Sequence, residues 1–287
     1  MLALRPSRNP RGLTLVELIC VVAILAMLAG LIVPRIGIAR NLAARAANAD
    51  QTRECFNQAI YYNLVQNKYP QGEDTLLNAA GTVYSKLDPS LAGVLTPVTL
   101  DVNAAKSINQ FATFDTTGNT AVYLFNNDET FTGNAGDSGK LNTTVTVGGG
   151  SLLAQIKVPV GTDVTGNKLN YQIYLGLYGS DKLDATTGAP LDGTYLVALG
   201  VGPNSEFNNK SMLTVPSLWT KDPAAYNRAI LLMKVFPTAT LASYTGVSGV
   251  TYTGPAKGTS AGNACGLSPE GLLVQGSLDK YTQEKAR

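Results

Sequence analysis

Apolar residues are concentrated in one uninterrupted run near the start of the chain. From Leu13 to Val33 there are 21 residues, and Glu17 is the only charged one among them. A helix rises about 1.5 Å per residue, so this run would be roughly 32 Å long and would match the hydrocarbon core of a bilayer. The pattern predicts a transmembrane helix over residues 13–34. The alternative is a cleaved secretory signal, but such signals usually have a shorter apolar region that ends at a small-x-small site.

A helical pattern continues beyond this run and predicts an amphipathic continuation over residues 35–68. Its apolar residues recur mostly at steps of three, four or seven, which places them on one face of a helix. These residues are Ile38, Leu42, Ala46, Ala49, Phe56, Ile60 and Leu64. Asn48 falls off this face. Pro34 lacks a backbone N–H and predicts a kink, and Tyr69-Pro70 predicts the end of the helix.

The rest of the chain, residues 69–287, is predicted to form a β-rich globular domain. Alternation of apolar residues over Leu169–Leu177 predicts a strand with one buried face. Tyr195–Val201 and Ala229–Phe236 are apolar throughout and predict central strands, while Asp222-Pro223 is an alternative start of a short helix. Weaker strands are predicted over Leu91–Val102, Ala121–Phe125, Thr143–Val147 and Val247–Thr253. Residues 254–266 and the tail Gly276–Arg287 predict irregular, mobile structure.

Together these patterns predict an α+β fold. A long, kinked N-terminal helix carries the membrane span and the amphipathic half. The amphipathic half is expected to pack on an antiparallel β-sheet domain with β-rich insertions, because one face of the helix and one face of the sheet must be covered.

Charge adds an orientation and excludes several classes of function. The net charge is +2, and residues 1–12 contain Arg5, Arg8 and Arg11 without an acid. This basic flank predicts a cytoplasmic N-terminus and an extracytoplasmic domain. Without the flank the chain is near neutral, so no nucleic-acid partner is predicted. Histidine is absent, which excludes Ser-His-Asp and Cys-His catalysis and every histidine-bearing metal site. An anchored hydrolase would need a carboxylate pair in a cleft, and the sequence offers no motif for one, so we expect no enzymatic activity and no cofactor.

Three cysteines allow at most one disulfide outside the membrane. Cys20 lies in the apolar run, Cys55 on the continuing helix and Cys265 in a Gly/Ser-rich segment. No C-x-x-C pair occurs, which argues against a zinc site. Whether Cys55 pairs with Cys265 is left open.

The start of the chain resembles the class III signal of type IV pilins and type II secretion pseudopilins. A basic leader ends at Gly12, and Leu13-Thr-Leu-Val-Glu17 and the apolar run follow in the register of that family. The resemblance implies cleavage after Gly12 by a prepilin peptidase and methylation of the new N-terminus. It also implies that Glu17 meets the N-terminal amine of a neighbouring subunit. The family usually has Phe where this chain has Leu13.

The resemblance implies a structural function. The chain is expected to be a minor pilin-like subunit of a type II secretion pseudopilus or type IV pilus in the inner membrane of a bacterium. Its implied partners are other pilin or pseudopilin subunits, the prepilin peptidase and the assembly platform. The alternative is a membrane-anchored adhesin or ligand-binding protein, including one for DNA uptake.

Calcium binding is a further open possibility. Major pseudopilins hold calcium in a loop of their β-region, and Asp181, Asp184 and Asp192 lie in one loop of this chain. Carboxylates are suitable calcium ligands, but the spacing matches no EF-hand, and ordinary turn chemistry explains Asp and Gly here equally well.

Overall fold

The structure is a computed structural model with an N-terminal and a globular unit. It describes residues 15–66, 70–102, 104–105, 108, 122–141, 144–206, 208, 214–235, 244–245, 251–252, 262–269 and 273–274. The two units are Met1–Ala46 and Ala47–Arg287. The predictions for Gly12, Leu13 and the tail Gly276–Arg287 lie outside the described residues.

Helix α1 occupies Leu15–Gln66. It ends close to Tyr69-Pro70, as the sequence predicts. Among the described residues, no helix combines the length and the hydropathy that crossing a membrane requires. The span over 13–34 and the kink at Pro34 stay predictions.

The buried face of α1 differs from the predicted one. It consists of residues three or four positions apart, with one adjacent pair: Asn48, Thr52, Cys55, Phe56, Ala59 and Tyr62. Phe56 was predicted, but Leu42 is 62% exposed and Asn48 is only 3% exposed. The prediction placed apolar residues alone inside. A polar side chain can also be buried when its hydrogen bonds are satisfied, and Asn48 is such a case.

Two central strands were predicted correctly. Strands β6 (Tyr195–Gly200) and β7 (Ile230–Val235) pair antiparallel over their whole length, from Tyr195 opposite Val235 to Gly200 opposite Ile230. The other edge of β7 pairs with β10 (Gly262–Leu267), which in turn pairs with β11 (Leu273–Val274). The irregular structure predicted for 254–266 is therefore wrong from Gly262 onward, because these residues complete the hydrogen bonds of β7.

The sheet forks at the second edge of β6. Strand β5 (Leu152–Ile156) pairs with the middle of β6, and β1 (Asp74–Asn78) pairs with its end. One branch continues from β5 to β2 (Leu95–Thr99) and the other from β1 through β3 (Tyr123–Asn127) to β4 (Thr144–Thr146). The β1–β3 pairing is parallel, so the sheet is mixed and the predicted antiparallel sheet is wrong. Strands β8 (Tyr244–Thr245) and β9 (Thr251–Tyr252) form a separate pair.

The strand predicted with the clearest alternation is a helix. Three short helices have all their residues in the described part of the chain: α2 (Pro89–Val94), α3 (Gly161–Thr165) and α4 (Leu169–Tyr178). In α4 the buried residues are Asn170, Ile173 and Tyr174, which are three and four apart. Nearly continuous apolar character fits the two-residue period of a strand and also the 3.6-residue period of a helix. Alternation alone therefore misidentified α4 as a strand. Gly179 has φ 76° and ends the helix, as a left-handed glycine commonly does.

A capping signal divides the strand predicted over Leu91–Val102. Asp88 accepts a hydrogen bond from the amide N–H of Ser90, and Pro89 starts α2 before β2 begins. Further along the chain, Asp222-Pro223 forms a turn and not a helix, because Asp222 accepts from the amide of Ala224.

Both faces of the β6–β7 pair are covered. On one face Leu196, Ala198 and Leu232 share a cluster with Ile173 and Tyr174 of α4. On the opposite face two further clusters form. One contains Val197, Leu199, Met233 and Val235 of the strands, and the other brings Leu231 against α1. This two-sided burial explains why both strands are apolar throughout.

A substitution at Gly200, the last residue of β6, tests how tightly the interior around the β6–β7 pair is packed. A Cβ at Gly200 would overlap the hydroxyl of Tyr226 and lie 2.8 Å from its Cζ and 2.9 Å from Leu76 Cδ2. We expect Gly200→Ala to lower the free energy of unfolding by about 3 kcal/mol, because a buried ring must move. Gly93→Ala is the control: nothing lies within 4 Å of a Cβ there, so the change should be neutral or slightly stabilising. Urea denaturation of both variants measures the difference, and equal stabilities would contradict the packing described.

Candidate assembly segment

The first part of α1 exposes a continuous apolar surface. Its large apolar side chains are between 47% and 74% exposed: Leu15, Val16, Leu18, Ile19, Val21, Val22, Ile24, Leu25, Met27 and Leu28. An apolar surface of this kind marks contact with a protein partner or a membrane. Glu17 lies exposed in the first turn of this segment. A carboxylate is favoured there by the positive end of the helix dipole.

Asn48 anchors the later part of α1 in the globular unit. Its Nδ2 donates to the carbonyl oxygen of Trp219 at 2.6 Å, and its Oδ1 accepts from the amide of Trp219 at 2.7 Å. One side-chain amide thus satisfies both backbone groups of one residue, as a paired strand would. The sequence offers a single signal for this role, a polar residue between apolar helix positions.

An apolar contact follows about two to three turns further along the helix. Cys55, Phe56 and Ala59 form a buried cluster with residues from the end of β6, the start of β7 and the loop before it. The residues contributed by the domain are Val201, Val215, Leu218, Ala229 and Leu231. Cys55 is a free thiol, so the bridge to Cys265 that the sequence left open is not formed. Burial raises the pKa of Cys55 to about 12, which keeps the thiol protonated and unreactive at neutral pH.

A half-buried acid, Glu206, and a buried acid, Glu73, lie near Tyr62 in the last part of the helix. Tyr62 donates its hydroxyl to Glu206 at 2.9 Å, and the amide of Glu206 donates to the carbonyl of Gln71. Glu73 is 3% exposed. Burial, followed by the nearby charges of Glu206 and Asp74, holds its pKa well above the usual range. Burial therefore favours the neutral form of Glu73.

A second buried polar group lies where the sheet forks. Asp74 accepts a hydrogen bond from the hydroxyl of Tyr226 at 2.7 Å. Arg228 donates to Asp137 at 2.5 Å and to the carbonyl of Val215 at 2.8 Å. Burial raises the pKa of Asp74 to about 7, although Tyr226 and Arg228 lower it. These residues were not predicted as functional, because no motif brings positions 74, 137 and 228 together.

The aspartates of the 180–193 loop are engaged in turns and ion pairs. Asp184 accepts from the amides of Thr186 and Thr187, which lowers its pKa. Asp192 pairs with Lys234 at 2.8 Å, and Asp181 pairs with Lys182 at 3.2 Å. In the part of the chain that the structure describes, no group of three or more acids or cysteines is arranged to hold a metal ion. Turn hydrogen bonds and ion pairs therefore account for the contacts of these three aspartates.

Comparison with protein-family models identifies the N-terminal segment. Residues 7–33 match the prokaryotic N-terminal methylation motif. The matched residues include Gly12, Leu13 and Glu17. This segment is a prepilin-type N-terminal signal. The match covers the signal and the first part of α1, and the fold of the chain beyond residue 33 rests on the structure alone. The curated proteins and the solved structures yield no match.

The anchoring role of Asn48 can be measured directly. We expect Asn48→Ala to lower the free energy of unfolding by about 2 kcal/mol, because two hydrogen bonds worth about 1 kcal/mol each are lost. Trp219 is the only tryptophan, so its fluorescence during urea denaturation reports on this contact. Gln58→Ala is the matched control, since Gln58 makes an exposed bond to Glu54 on the same helix. The contact has no anchoring role if both variants unfold at the same urea concentration.

Proposed function

We propose that the chain is a minor, pilin-like structural subunit of a type II secretion pseudopilus or a type IV pilus. In this proposal a prepilin peptidase removes residues 1–12, and residues 13–34 hold the processed chain in the inner membrane. The assembly platform then adds it to a filament of other pilin-type subunits. The globular domain is extracytoplasmic, and the chain is not an enzyme.

The observation that carries the proposal is the exposed apolar half of α1 together with the motif at residues 7–33. A contiguous apolar helix surface of this size requires an apolar environment, which a membrane or a bundle of identical helices provides. The same helix continues into residues that are buried in the globular unit. This continuity suits a subunit that has one helix for assembly and one domain outside it.

Glu17 provides the specificity that apolar contacts lack. Lipid and leucine are about equally apolar, so hydrophobicity alone cannot choose a register between neighbouring helices. An acid that meets the N-terminal amine of a neighbour chooses one register, because any slip leaves two unpaired charges in an apolar environment.

Processing is the first test. We expect the chain extracted from the membranes of its host to begin at N-methylated Leu13, because Gly12 and the basic leader stand in the register of the matched motif. Mass spectrometry of the N-terminal peptide measures this. An intact Met1, or a start near Gly30, would refute the pilin-like proposal. Gly12→Val should block processing and leave the leader in place.

Assembly is the second test. We expect Glu17→Leu to be inserted and processed normally but to be missing from sheared filaments, because the charge that sets the register is gone. Immunoblotting of membrane and filament fractions measures the distribution of the subunit.

Glu54→Leu is the matched control for this test, since Glu54 is an exposed acid on the same helix. It should enter filaments as well as the unmodified chain does. Normal incorporation of Glu17→Leu would refute the role of Glu17 while leaving the processing result unaffected.

A further inference from the structure

Strand β2 is an edge of the sheet. Among the described strands it pairs with β5 alone, from Leu95 opposite Ile156 to Thr99 opposite Leu152. The backbone groups on the second side of an edge strand can pair with a strand of another chain. The segment Val94–Leu100 contains no charged residue, and all its residues except Pro97 are Val, Leu or Thr. Uncharged segments of this length that are rich in β-branched residues add to one another readily when they lack proline.

Two hydrogen bonds show which backbone groups of β2 face β5. The amide of Lys157 donates to the carbonyl of Val94, and the amide of Leu100 donates to the carbonyl of Ser151, both at 2.8 Å. In an antiparallel pair, residues that bond to the facing strand alternate with residues whose N–H and C=O point away from it. Val94 and Leu100 are an even number of positions apart, so both bonds agree on one alternation. The even-numbered residues of β2 therefore bond to β5, and the odd-numbered residues point away.

The three residues that point away from β5 are Leu95, Pro97 and Thr99. The N–H of Leu95 is bound to the carbonyl of Ala92 and so ends α2. Pro97 has no N–H, and its ring carbon Cδ takes the place of the amide hydrogen. Pro97 and Thr99 are both exposed. Of the three, only Thr99 has an N–H that is bound by no residue in the described part of the chain.

The effect on strand addition can be counted for two copies of the chain that meet through β2. In an antiparallel pairing centred on Pro97, each Pro97 lies opposite the other, and each Leu95 lies opposite a Thr99, so the outward residues could form six bonds. Two of the six need an N–H from Pro97, and two need the N–H of Leu95 that is already bound within the chain. Only the two bonds donated by Thr99 remain.

The proline removes no bond from the sheet to which β2 belongs. Pro97 lies opposite Ala154 of β5, at a position where the two backbones do not bond to each other. A proline at Thr96 or Val98 would remove a bond to β5 instead. Position 97 therefore weakens the outer edge of β2 and leaves its inner edge intact, which is the arrangement that edge strands tolerate.

We propose that Pro97, together with the bond from Leu95 to Ala92, closes the edge of β2 to strand addition by a second copy of the chain. The closure protects a segment that is exposed, uncharged and otherwise well suited to pairing. It leaves contacts between copies to other surfaces, such as the exposed apolar segment of α1. The inference rests on the register of β2 and does not depend on the proposed function.

The orientation of the amides can be measured in the unmodified full chain in detergent. We expect the amide of Thr99 to exchange its hydrogen on the order of tenfold faster than those of Thr96 and Val98, because only the latter two bond to β5. Hydrogen exchange read by mass spectrometry, with fragmentation to single residues and correction for intrinsic rates, measures all three. Equal protection of Thr99 and Val98 would mean that the edge is already paired and would overturn the proposal.

Pro97→Thr restores the missing N–H, so that four of the six bonds between two copies become possible. We expect the dissociation constant for self-association of the full chain in detergent to fall on the order of tenfold, because two hydrogen bonds are added. Sedimentation velocity over a series of protein concentrations measures this constant, and any association through α1 is common to all variants. Pro223→Thr is the matched control, since Pro223 is exposed in a turn outside the strands. It should associate as the unmodified chain does.

A second change on the same edge separates hydrogen bonding from other effects of the substitution. Thr99→Pro, added to Pro97→Thr, removes the two bonds that Thr99 donates, so two bonds remain, as in the unmodified chain. The double variant should therefore return to the dissociation constant of the unmodified chain. Unchanged self-association in a folded Pro97→Thr chain would overturn the proposal, and so would a double variant that associates as strongly as Pro97→Thr alone.

Discussion

The two-sided burial of the β6–β7 pair is the constraint on which the domain depends. Every residue of β6 after Tyr195 is buried, and in β7 only Lys234 is partly exposed. A sheet that is apolar on both faces must be covered on both, which requires two layers of other elements. Helix α4 supplies part of one layer, and the buried face of α1 supplies part of the other. Helix α1 is therefore a component of the core as well as the bearer of an exposed apolar segment.

Polar side chains are buried at the joints between these layers. Asn48 lies where α1 meets the loop before β7, and Asp74 lies where β1 joins β6 and β3. Arg228 lies just before β7 and ties two loops to it. A buried polar group tolerates few alternative arrangements, because each misplaced donor or acceptor costs about 1–3 kcal/mol. Apolar packing covers the sheet, and these groups specify which loop meets which strand.

The two parts of α1 present different surfaces. Its first part carries apolar side chains and a single acid, Glu17, and so presents the chemistry of an apolar assembly. Its later part carries Asn48, Cys55 and Tyr62 on the face that is buried against the globular domain.

The sequence by itself determined the features that depend on local chemistry. The apolar run, the register of Gly12 and Glu17, the end of α1 before Tyr69-Pro70 and the two central strands follow from composition and spacing along the chain. Such features need no distant partner, because a continuous apolar segment must be buried or shielded whatever surrounds it.

The tertiary structure decided everything that depends on partners far apart in the chain. The apolar pattern of Leu169–Tyr178 fits both a strand and a helix. The segment forms a helix because it covers one face of the sheet with residues three and four positions apart. Asn48 was placed outside by its polarity, and only the backbone of Trp219, 171 residues away, makes its burial favourable. The parallel β1–β3 pairing and the contact of Arg228 with Asp137 have no signal in sequence, because each joins residues that are far apart in the chain and that come together only when the domain folds.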